Sequence, residues 1–282
     1  MKVKVAAVQL NTKDNKEENL SSAEQFIDQA VQEGAQFIAL PETFNFLSED
    51  EDETRANAEE IPGPTIERMM AKAREHGVFL HCGSIAERSA QTTRLFNTTV
   101  LLGPHGEIIA RYRKIHLYDA DLGPDLRYLE SALYEPGRDI VSLEAGGMKI
   151  GLTICYDLRF PELFRILAVR GAEVIFLPAN FTFHTGRDHW EVLIRARAIE
   201  NQLFMVAPAQ VGYYGPRRRT YGHSMIVDPW GRILSEAPDE PSVVTAELDL
   251  ATLHEVRQQL PSLANRCPAV YQGEEPLVEV RV

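Results

Sequence analysis

Cys155 stands at the end of an apolar segment and shortly before a predicted helix start, a placement suited to a nucleophile. Residues 148–155 alternate in polarity, which predicts a strand whose apolar face points away from the thiol. Pro161 and Glu162 are typical of a helix first turn, and a nearby helix N-terminus favours the thiolate form. The competing interpretation is an ordinary core cysteine, because free cysteines are among the most buried residues.

Two further polar residues stand at the ends of predicted strands. Glu42 follows Pro41 and an apolar run, at the strand edge where open α/β sheets usually carry their chemistry. Lys114 continues the alternation of residues 108–114, which predicts an inward side chain, and buried lysines normally need a charged partner. An exposed loop acid is the alternative interpretation of Glu42.

A thiol, a carboxylate and an ammonium group can together hydrolyse an amide. The carboxylate would take the thiol proton, and the ammonium would stabilise negative charge on the attacked carbonyl oxygen. The carboxylic acid would then return its proton to the departing ammonia. Sequence spacing alone leaves open whether the three groups meet, because they are far apart in the chain.

Composition narrows the class of protein. The chain has 282 residues, 44% of them hydrophobic and 25% charged, as expected for one globular α/β domain. Its formal net charge of -12 argues against a nucleic-acid partner. The three cysteines are widely spaced and fit neither a disulfide framework nor a zinc site, which favours a reducing cytoplasm. No signal peptide or membrane span is predicted, so no membrane partner is expected.

Predicted strands and helices alternate in both halves of the chain. The predicted strands are 2–10, 36–40, 78–85, 96–102, 108–115, 140–143, 149–154, 174–177, 203–208, 224–227 and 242–248. The predicted helices are 19–31, 65–76 with Thr65 as its cap, 161–170, 188–201 and 251–259. Residues 48–60 and 119–137 are predicted as loops, and the second is long enough to suggest a function. Because no linker divides the chain, we expect a single domain spanning residues 1–282.

Three segments resemble the signature blocks of the nitrilase superfamily of carbon–nitrogen hydrolases. They are Leu40–Phe44, Tyr112–Leu117 and Thr153–Glu162, and they follow the family's order. The likeness runs from the first predicted strand to about Tyr271. It implies an α/β fold of the nitrilase type, an αββα sandwich that dimerises to αββααββα. Residues 260–282 would form a C-terminal tail involved in oligomer contacts, in a homodimer or a higher homo-oligomer.

The resemblance also implies a role for each candidate catalytic residue. Glu42 would be the general base, Lys114 the oxyanion-stabilising lysine and Cys155 the nucleophile that forms a thioester. Glu130 matches the family's additional glutamate and would hold Lys114 or the reacting groups in position. The backbone N–H of Tyr156 would help to bind the oxyanion. No metal or organic cofactor is expected.

Within the superfamily, residues 155–163, 189–193 and 257–261 most resemble the branch of deaminated glutathione amidase and ω-amidase. That likeness implies a small carboxylate-bearing amide, cleaved to an acid and ammonia, with deaminated glutathione as the first expectation. The alternatives are an ω-amidase acting on 2-oxoglutaramate or 2-oxosuccinamate, then a nitrilase or N-carbamoyl hydrolase. A catalytically idle scaffold or binding protein is the alternative outside enzymes.

An acidic protein that binds substrate carboxylates needs local positive charge, preferably from forked guanidinium groups. The candidate substrate-binding residues are Arg159, Phe181, Thr182, Arg187 and Arg217. Arg217 and the two arginines after it are predicted in a loop, where solvation is the alternative to substrate binding.

Overall fold

The computed structural model describes residues 1–90, 92–123 and 127–271, so residues 272–282 of the predicted C-terminal tail lie outside the described residues. The strands are β1 (Lys2–Gln9), β2 (Phe37–Ala39), β3 (Phe79–His81), β4 (Ile85–Glu87), β5 (Phe96–Leu102), β6 (Ile108–Arg113), β7 (Asp119–Asp121), β8 (Arg127–Leu129), β9 (Ser142–Ala145), β10 (Met148–Leu152), β11 (Val174–Phe176), β12 (Phe204–Ala207), β13 (Val211–Tyr214), β14 (Arg218–Tyr221), β15 (Met225–Val227), β16 (Ile233–Glu236) and β17 (Ser242–Asp249). The helices are α1 (Lys16–Gln32), α2 (Glu51–Asn57), α3 (Pro64–His76), α4 (Glu130–Leu133), α5 (Pro161–Val169), α6 (Phe183–Asn201), α7 (Leu250–Gln259) and α8 (Pro268–Tyr271), with a 3₁₀ helix at Cys155–Arg159. In the described ranges, no helix has both the length and the apolar character needed to cross a bilayer.

The strands form two main sheets. The first has the order β17-β1-β2-β3-β5-β4, with β6 paired to β5, and the second has the order β16-β15-β12-β11-β10-β9. Strands β1 to β3 are parallel in the first sheet, and strands β10 to β12 are parallel in the second. The two strand-helix repeats predicted from the two halves of the chain therefore form the parallel centres of the two sheets.

Alternate residues of β1 contribute to two hydrophobic cores. Val3, Val5 and Ala7 belong to a core shared with the second sheet, whereas Ala6 and Val8 pack with α1 and α3. Helices α5 and α6 bury their apolar residues in the first of these cores, together with β10 to β12. The layers run helices, sheet, sheet, helices, and the predicted αββα sandwich is confirmed.

Two predicted boundaries are wrong at glycines. One glycine interrupts a predicted strand, and the other lies inside a helix that was predicted to begin after it. The predicted strand 78–85 is two strands, interrupted at Gly83, whose φ of +43° is incompatible with extended structure. Helix α6 begins at Phe183, five residues earlier than predicted. Gly186 resembles a helix breaker, but an added Cβ there would lie 2.3 Å from Tyr221, so close packing requires glycine inside this helix.

Thr65 does not cap α3 as predicted. Gly63 occupies the N-cap position, and the Thr65 hydroxyl donates instead to Glu59 Oε1 at 2.6 Å. The predicted loop 48–60 contains α2, and the predicted loop 119–137 contains the β7-β8 hairpin and α4. Strand β14 likewise occupies a predicted loop. These elements are short and polar, and therefore lack the apolar periodicity on which the prediction depends.

Strand ends bring the candidate residues together. Glu42 lies three residues after β2, Lys114 directly follows β6, and Cys155 lies three residues after β10. Since β2 and β10 belong to different sheets, the site is built where the two sheets face each other.

Candidate active site

The Glu42 carboxylate is buried, with 4% of the residue exposed, and it accepts three hydrogen bonds. Its Oε1 accepts from Lys114 Nζ at 3.0 Å and from Asn97 Nδ2 at 2.8 Å. Its Oε2 accepts from the backbone N–H of Asn180 at 2.7 Å. These donors from three separate segments fix the orientation of both carboxylate oxygens.

Lys114 Nζ lies between two carboxylates and is only 2% exposed. It donates to Glu42 Oε1 at 3.0 Å and to Glu130 Oε1 and Oε2 at 3.0 and 2.9 Å. Glu130 is itself held by Asn97 Nδ2 at 3.2 Å and by the Tyr118 N–H at 2.6 Å. Burial opposes the charged form, but Glu130 and Glu42 together raise the pKa of Lys114 well above its ordinary value. The side chain is therefore a fixed ammonium ion.

Cys155 begins the 3₁₀ helix with a φ of +45°, a strained conformation for a residue with a side chain. Its N–H donates to Pro178 O at 2.9 Å, which holds the turn in place. Burial raises the pKa of the thiol well above its usual range, Glu42 adds to the shift, and Lys114 opposes it. The expectation of a thiolate-favouring site is therefore wrong for the resting state: the sulfur is a neutral thiol that needs a base.

Asp157 accepts hydrogen bonds from the turn that contains Cys155 and from residues on both sides of Lys114. This fully buried carboxylate accepts from Tyr112 Oη at 2.6 Å and from the Ile154 N–H at 2.8 Å through Oδ2. Its Oδ1 accepts from the His116 N–H at 3.2 Å and lies 2.7 Å from the Nδ1 of the same residue. Since Tyr112 and His116 flank Lys114, one carboxylate positions both parts of the site.

Two cavities meet at the Cys155 sulfur. The larger one, of about 540 Å³, is lined by all four candidate catalytic residues and extends to Tyr128, Tyr214 and Arg218. The second is a smaller pocket lined by residues that include Tyr156, Arg159, Phe181 and Thr182. The smaller pocket has a volume of only about 10 Å³, room for about one water molecule, so it would have to widen before part of a bound molecule could enter it.

Three of the five candidate substrate-binding residues line the smaller pocket. The Arg159 guanidinium lies 5.0 Å from the centre of the Phe181 ring, and its Nη1 is 3.2 Å from His189 Nδ1. Thr182 is buried beside them and also lines the large cavity. A cation close to the nucleophile suits a substrate with a negatively charged group near its reacting carbon.

The other two candidate arginines are placed elsewhere. Arg187 has a largely exposed side chain whose Nε lies 3.2 Å from Asp188. Arg217 is more exposed still, and its Nε lies 3.4 Å from Glu49 Oε2. Neither residue is among those that line the two cavities, whereas Arg218, the neighbour of Arg217, does line the large one.

Asn97 and Asn180, which were not predicted, orient the carboxylates of the site: Asn97 donates to Glu42 and Glu130, and the Asn180 N–H donates to Glu42. Asn97 begins three consecutive polar residues in β5, a strand whose seven residues are all buried. A polar run in a buried strand is a usable signal, because buried polar groups require partners. The identity of those partners, Glu42 and Glu130, depends on tertiary structure and could not be read from the strand alone.

Together the described residues supply a nucleophile, a carboxylate that can take its proton and a fixed cation, the set needed for acyl transfer through cysteine. Tyr156 is the second residue of the 3₁₀ helix, at a helix start where backbone N–H groups lack intrahelical acceptors. In the described part of the chain, no group of three or more His, Cys, Asp and Glu residues is arranged to hold a metal ion.

Solved structures with the same architecture carry related sequences. The C. elegans NitFhit protein superposes with a TM-score of 0.89 at 32% identity, covering 96% of this chain and 66% of that longer chain. Saccharomyces cerevisiae Nit3, a member of branch 10 of the nitrilase superfamily, superposes with a TM-score of 0.84 at 32% identity, covering 92% and 94%.

Relatives of similar sequence carry the names of amidases. A deaminated glutathione amidase of Synechocystis sp. is 43% identical over 265 residues, which cover 93% of this chain and 97% of the relative. An omega-amidase NIT2 of Xenopus tropicalis is 37% identical over 280 residues, covering 97% and 98%. The carbon-nitrogen hydrolase family model matches residues 4–258. The chain therefore belongs to the carbon-nitrogen hydrolase family.

Proposed function

We propose that this protein is an amidase that hydrolyses a small carboxylate-bearing amide through a cysteine thioester, with deaminated glutathione as its substrate. The observation that carries the proposal is the Lys114 ammonium held by Glu42 and Glu130 in the cavity of Cys155. The names of the cyanobacterial, bovine and human relatives, at 40–43% identity, support the choice of substrate.

In the first half of the reaction, Glu42 takes the proton of the neutral Cys155 thiol as the sulfur attacks the amide carbon. The carbonyl oxygen becomes an oxyanion, stabilised by the Lys114 ammonium and the Tyr156 N–H. As the carbon–nitrogen bond breaks, the protonated Glu42 passes its proton to the leaving nitrogen. The acyl group remains on sulfur as a thioester.

In the second half, Glu42 removes a proton from water, whose oxygen attacks the thioester carbon. The carbon–sulfur bond breaks, the proton returns to sulfur, and the carboxylic acid leaves. Glu130 and Asn97 support both halves because they hold Lys114 and Glu42 in place. In deaminated glutathione, 2-oxoglutarate replaces the glutamyl group, so the leaving amine is cysteinylglycine and not the ammonia expected from the sequence.

The proposed acyl site is the Arg159 side of Cys155, where the smaller pocket would widen from its volume of about 10 Å³ to admit the acyl group. Arg159 would bind the carboxylate of the acyl half, with Phe181 and Thr182 as the pocket walls. Charge-assisted bonds from a guanidinium group suit this role, since the fork can donate twice to one carboxylate. The exposed Arg187 and Arg217 have no part in the proposed site.

An ω-amidase acting on 2-oxoglutaramate is the second candidate function. The similarity to the Xenopus omega-amidase supports it. The two functions share the acyl group and the catalytic residues, and differ only in the leaving group, ammonia or an amine. The two functions can therefore be distinguished by comparing the turnover of the two substrates by the same wild-type enzyme.

The proposed function is tested by turnover of deaminated glutathione, 2-oxoglutaramate, an aliphatic nitrile and an N-carbamoyl amino acid. We expect the wild-type enzyme to cleave deaminated glutathione with the highest kcat/KM, and the Cys155→Ala variant to cleave none of the four. Cys82→Ala is the matched control because Cys82 is also fully buried but lies outside both cavities. Near-wild-type turnover by Cys155→Ala would contradict the nucleophile, and no turnover of any substrate by folded wild-type protein would favour a scaffold or binding role.

The proposal extends to assembly and location. We propose a single domain that acts as a homodimer, which is supported by exposed apolar side chains on α5 and α6, among them Val169 and Val192. All three cysteines are free, which supports a cytoplasmic location. The mechanism requires no metal or organic cofactor, because protein groups supply the nucleophile, the proton transfers and the oxyanion stabilisation.

A further inference from the structure

The mechanism assigns one half of the substrate to each cavity. Glu42 must reach the leaving nitrogen to protonate it, and Glu42 lines the large cavity but not the smaller pocket. The leaving amine therefore points into the large cavity, and the acyl group points toward Arg159, on the side of Cys155 where the smaller pocket would widen to receive it. This assignment rests on the proposed function, because it follows from the role of Glu42.

The size of the large cavity exceeds what ammonia needs. Its volume is about 540 Å³, whereas a molecule the size of water or ammonia needs about 10–15 Å³ on the same measure. Cavities of several hundred cubic ångströms hold organic ligands. A substrate with a substantial amine half would fill space that a primary amide leaves to solvent.

Arg218 lines this cavity and carries a donor that has no partner in the described part of the chain. Its guanidinium carbon lies 4.0 Å from the centre of the Tyr128 ring, and its Nη2 donates to Arg127 O at 3.0 Å. Its Nη1 is buried and has no hydrogen-bond partner among the described residues. A stacked guanidinium with a free N–H group is a suitable site for a carboxylate.

Two of the acidic residues that line the cavity near Arg218 already accept hydrogen bonds from backbone N–H groups. Glu49 Oε1 accepts from the N–H groups of Arg217 and Arg218, both at 3.0 Å, and so fixes the turn between β13 and β14. Asp50 Oδ1 accepts from the N–H groups at the start of α2. Glu51, in the first turn of α2, is the remaining acid in this part of the lining.

We propose that Arg218, stacked on Tyr128, binds a carboxylate on the amine half of the substrate. The preferred substrates are then secondary amides whose leaving amine is a short peptide or amino acid with a free carboxyl end. Primary amides bind through the acyl pocket alone and do not use Arg218. The residue is a specificity determinant and takes no part in proton transfer.

The test measures formation of 2-oxoglutarate from three substrates that share one acyl group: deaminated glutathione, its C-terminal carboxamide and 2-oxoglutaramate. We expect Arg218→Gln to lower kcat/KM for deaminated glutathione about 10- to 100-fold, mainly through KM, as for loss of a charge-assisted hydrogen bond. Turnover of the carboxamide and of 2-oxoglutaramate should change less than about twofold. Arg217→Gln is the matched control, since it removes the same charge from the adjacent residue.

A substrate-side measurement does not depend on the folding of the variant. Wild-type enzyme should lose a similar factor when the carboxylate of deaminated glutathione is replaced by the carboxamide, and the two losses should not add. Equal losses by Arg218→Gln on all three substrates, or no preference of wild-type enzyme for the carboxylate, would overturn the inference while the amidase function stands. Failure of wild-type enzyme to cleave any of the three would overturn the proposed function and this inference with it.

Discussion

The resting Cys155 thiol is expected to ionise only at alkaline pH. Burial raises its pKa, and the Glu42 carboxylate raises it further, so that the neutral thiol predominates near neutral pH. The ultraviolet thiolate absorbance, taken as wild type minus Cys155→Ala, should be absent at pH 7 and should still be increasing at pH 9. A short cysteine peptide, with a pKa of about 8.5, is the control. A difference signal that is already complete at pH 7 would contradict the neutral resting thiol.

Lys114 should matter for stability as well as for catalysis. Replacement by methionine leaves two carboxylates buried without their cation, and loss of one partner from such a cluster costs about 3–5 kcal/mol of unfolding free energy. The double variant Lys114→Met/Glu130→Gln should recover part of that loss, since one of the unpaired charges is gone. Urea unfolding of the two variants measures the difference. Both should lose kcat by at least about 100-fold, because the oxyanion loses its cation.

The sequence identified the candidate catalytic residues better than the residues around them. Glu42, Lys114, Glu130 and Cys155, the four candidates that the resemblance implied, line one cavity. The sequence did not distinguish Arg218 from the adjacent arginines, because which of them lines the cavity depends on the register of a short hairpin. In that hairpin β14 pairs with β13 so that Arg218 lies opposite Tyr214, and successive side chains of a strand point to opposite faces.

Gly83, between β3 and β4 of the first sheet, packs closely against the residue that precedes Glu42. A Cβ at this residue would lie 1.9 Å from Pro41 O, immediately before the catalytic glutamate. Gly83→Ala should therefore displace residues 40–42 and lower kcat by about 100-fold, the cost of misplacing a catalytic group by about 1 Å. Gly77→Ala is the matched control: its φ is also positive, at +65°, but a Cβ there meets nothing within 4 Å.

The two glycine variants are distinguished by steady-state kinetics together with thermal unfolding. Gly77→Ala should cost about 1 kcal/mol of stability, from the left-handed conformation alone, and leave kcat unchanged. If Gly83→Ala keeps the wild-type kcat, the close contact with Pro41 does not position Glu42.

Apolar patterns predicted the long or buried elements and failed for the short polar ones. Helix α1 was found because its buried residues recur at helical spacing, and strand β1 because its apolar residues first alternate with lysines and then form a short buried run. Helix α2 has no buried residue and depends on its Asp50 cap, so its sequence could not be distinguished from a solvated loop. The 3₁₀ helix at Cys155 is set by the buried Asp157 contacts, which the alternation of residues 148–155 does not reveal.

The outer helix layer carries an exposed apolar surface. Ile166 and Val169 on α5, Val192 and Ile199 on α6, and Trp230 are between 38% and 66% exposed. Trp230 belongs to the same surface as α6, because the next residue's carbonyl accepts from Arg195 of that helix at 2.9 Å. Clustered exposed apolar side chains are typical of protein interfaces. A sandwich that pairs through this layer would have the eight-layer order αββααββα expected from the resemblance.

If the proposed homodimer pairs through this layer, substitution of Val192 by aspartate should shift it from dimer to monomer. Val192 is the most exposed of the group, at 66%, so the change should leave the folded subunit intact while it places an unpaired charge in the interface. In a two-fold symmetric dimer the charge enters twice, and the dissociation constant should rise by at least about 100-fold. Light scattering across a range of concentrations measures the mass, with Ile109→Asp, on the exposed side of β6, as the control. The interface lies elsewhere if Val192→Asp and Ile109→Asp have the same mass as the wild type at every concentration.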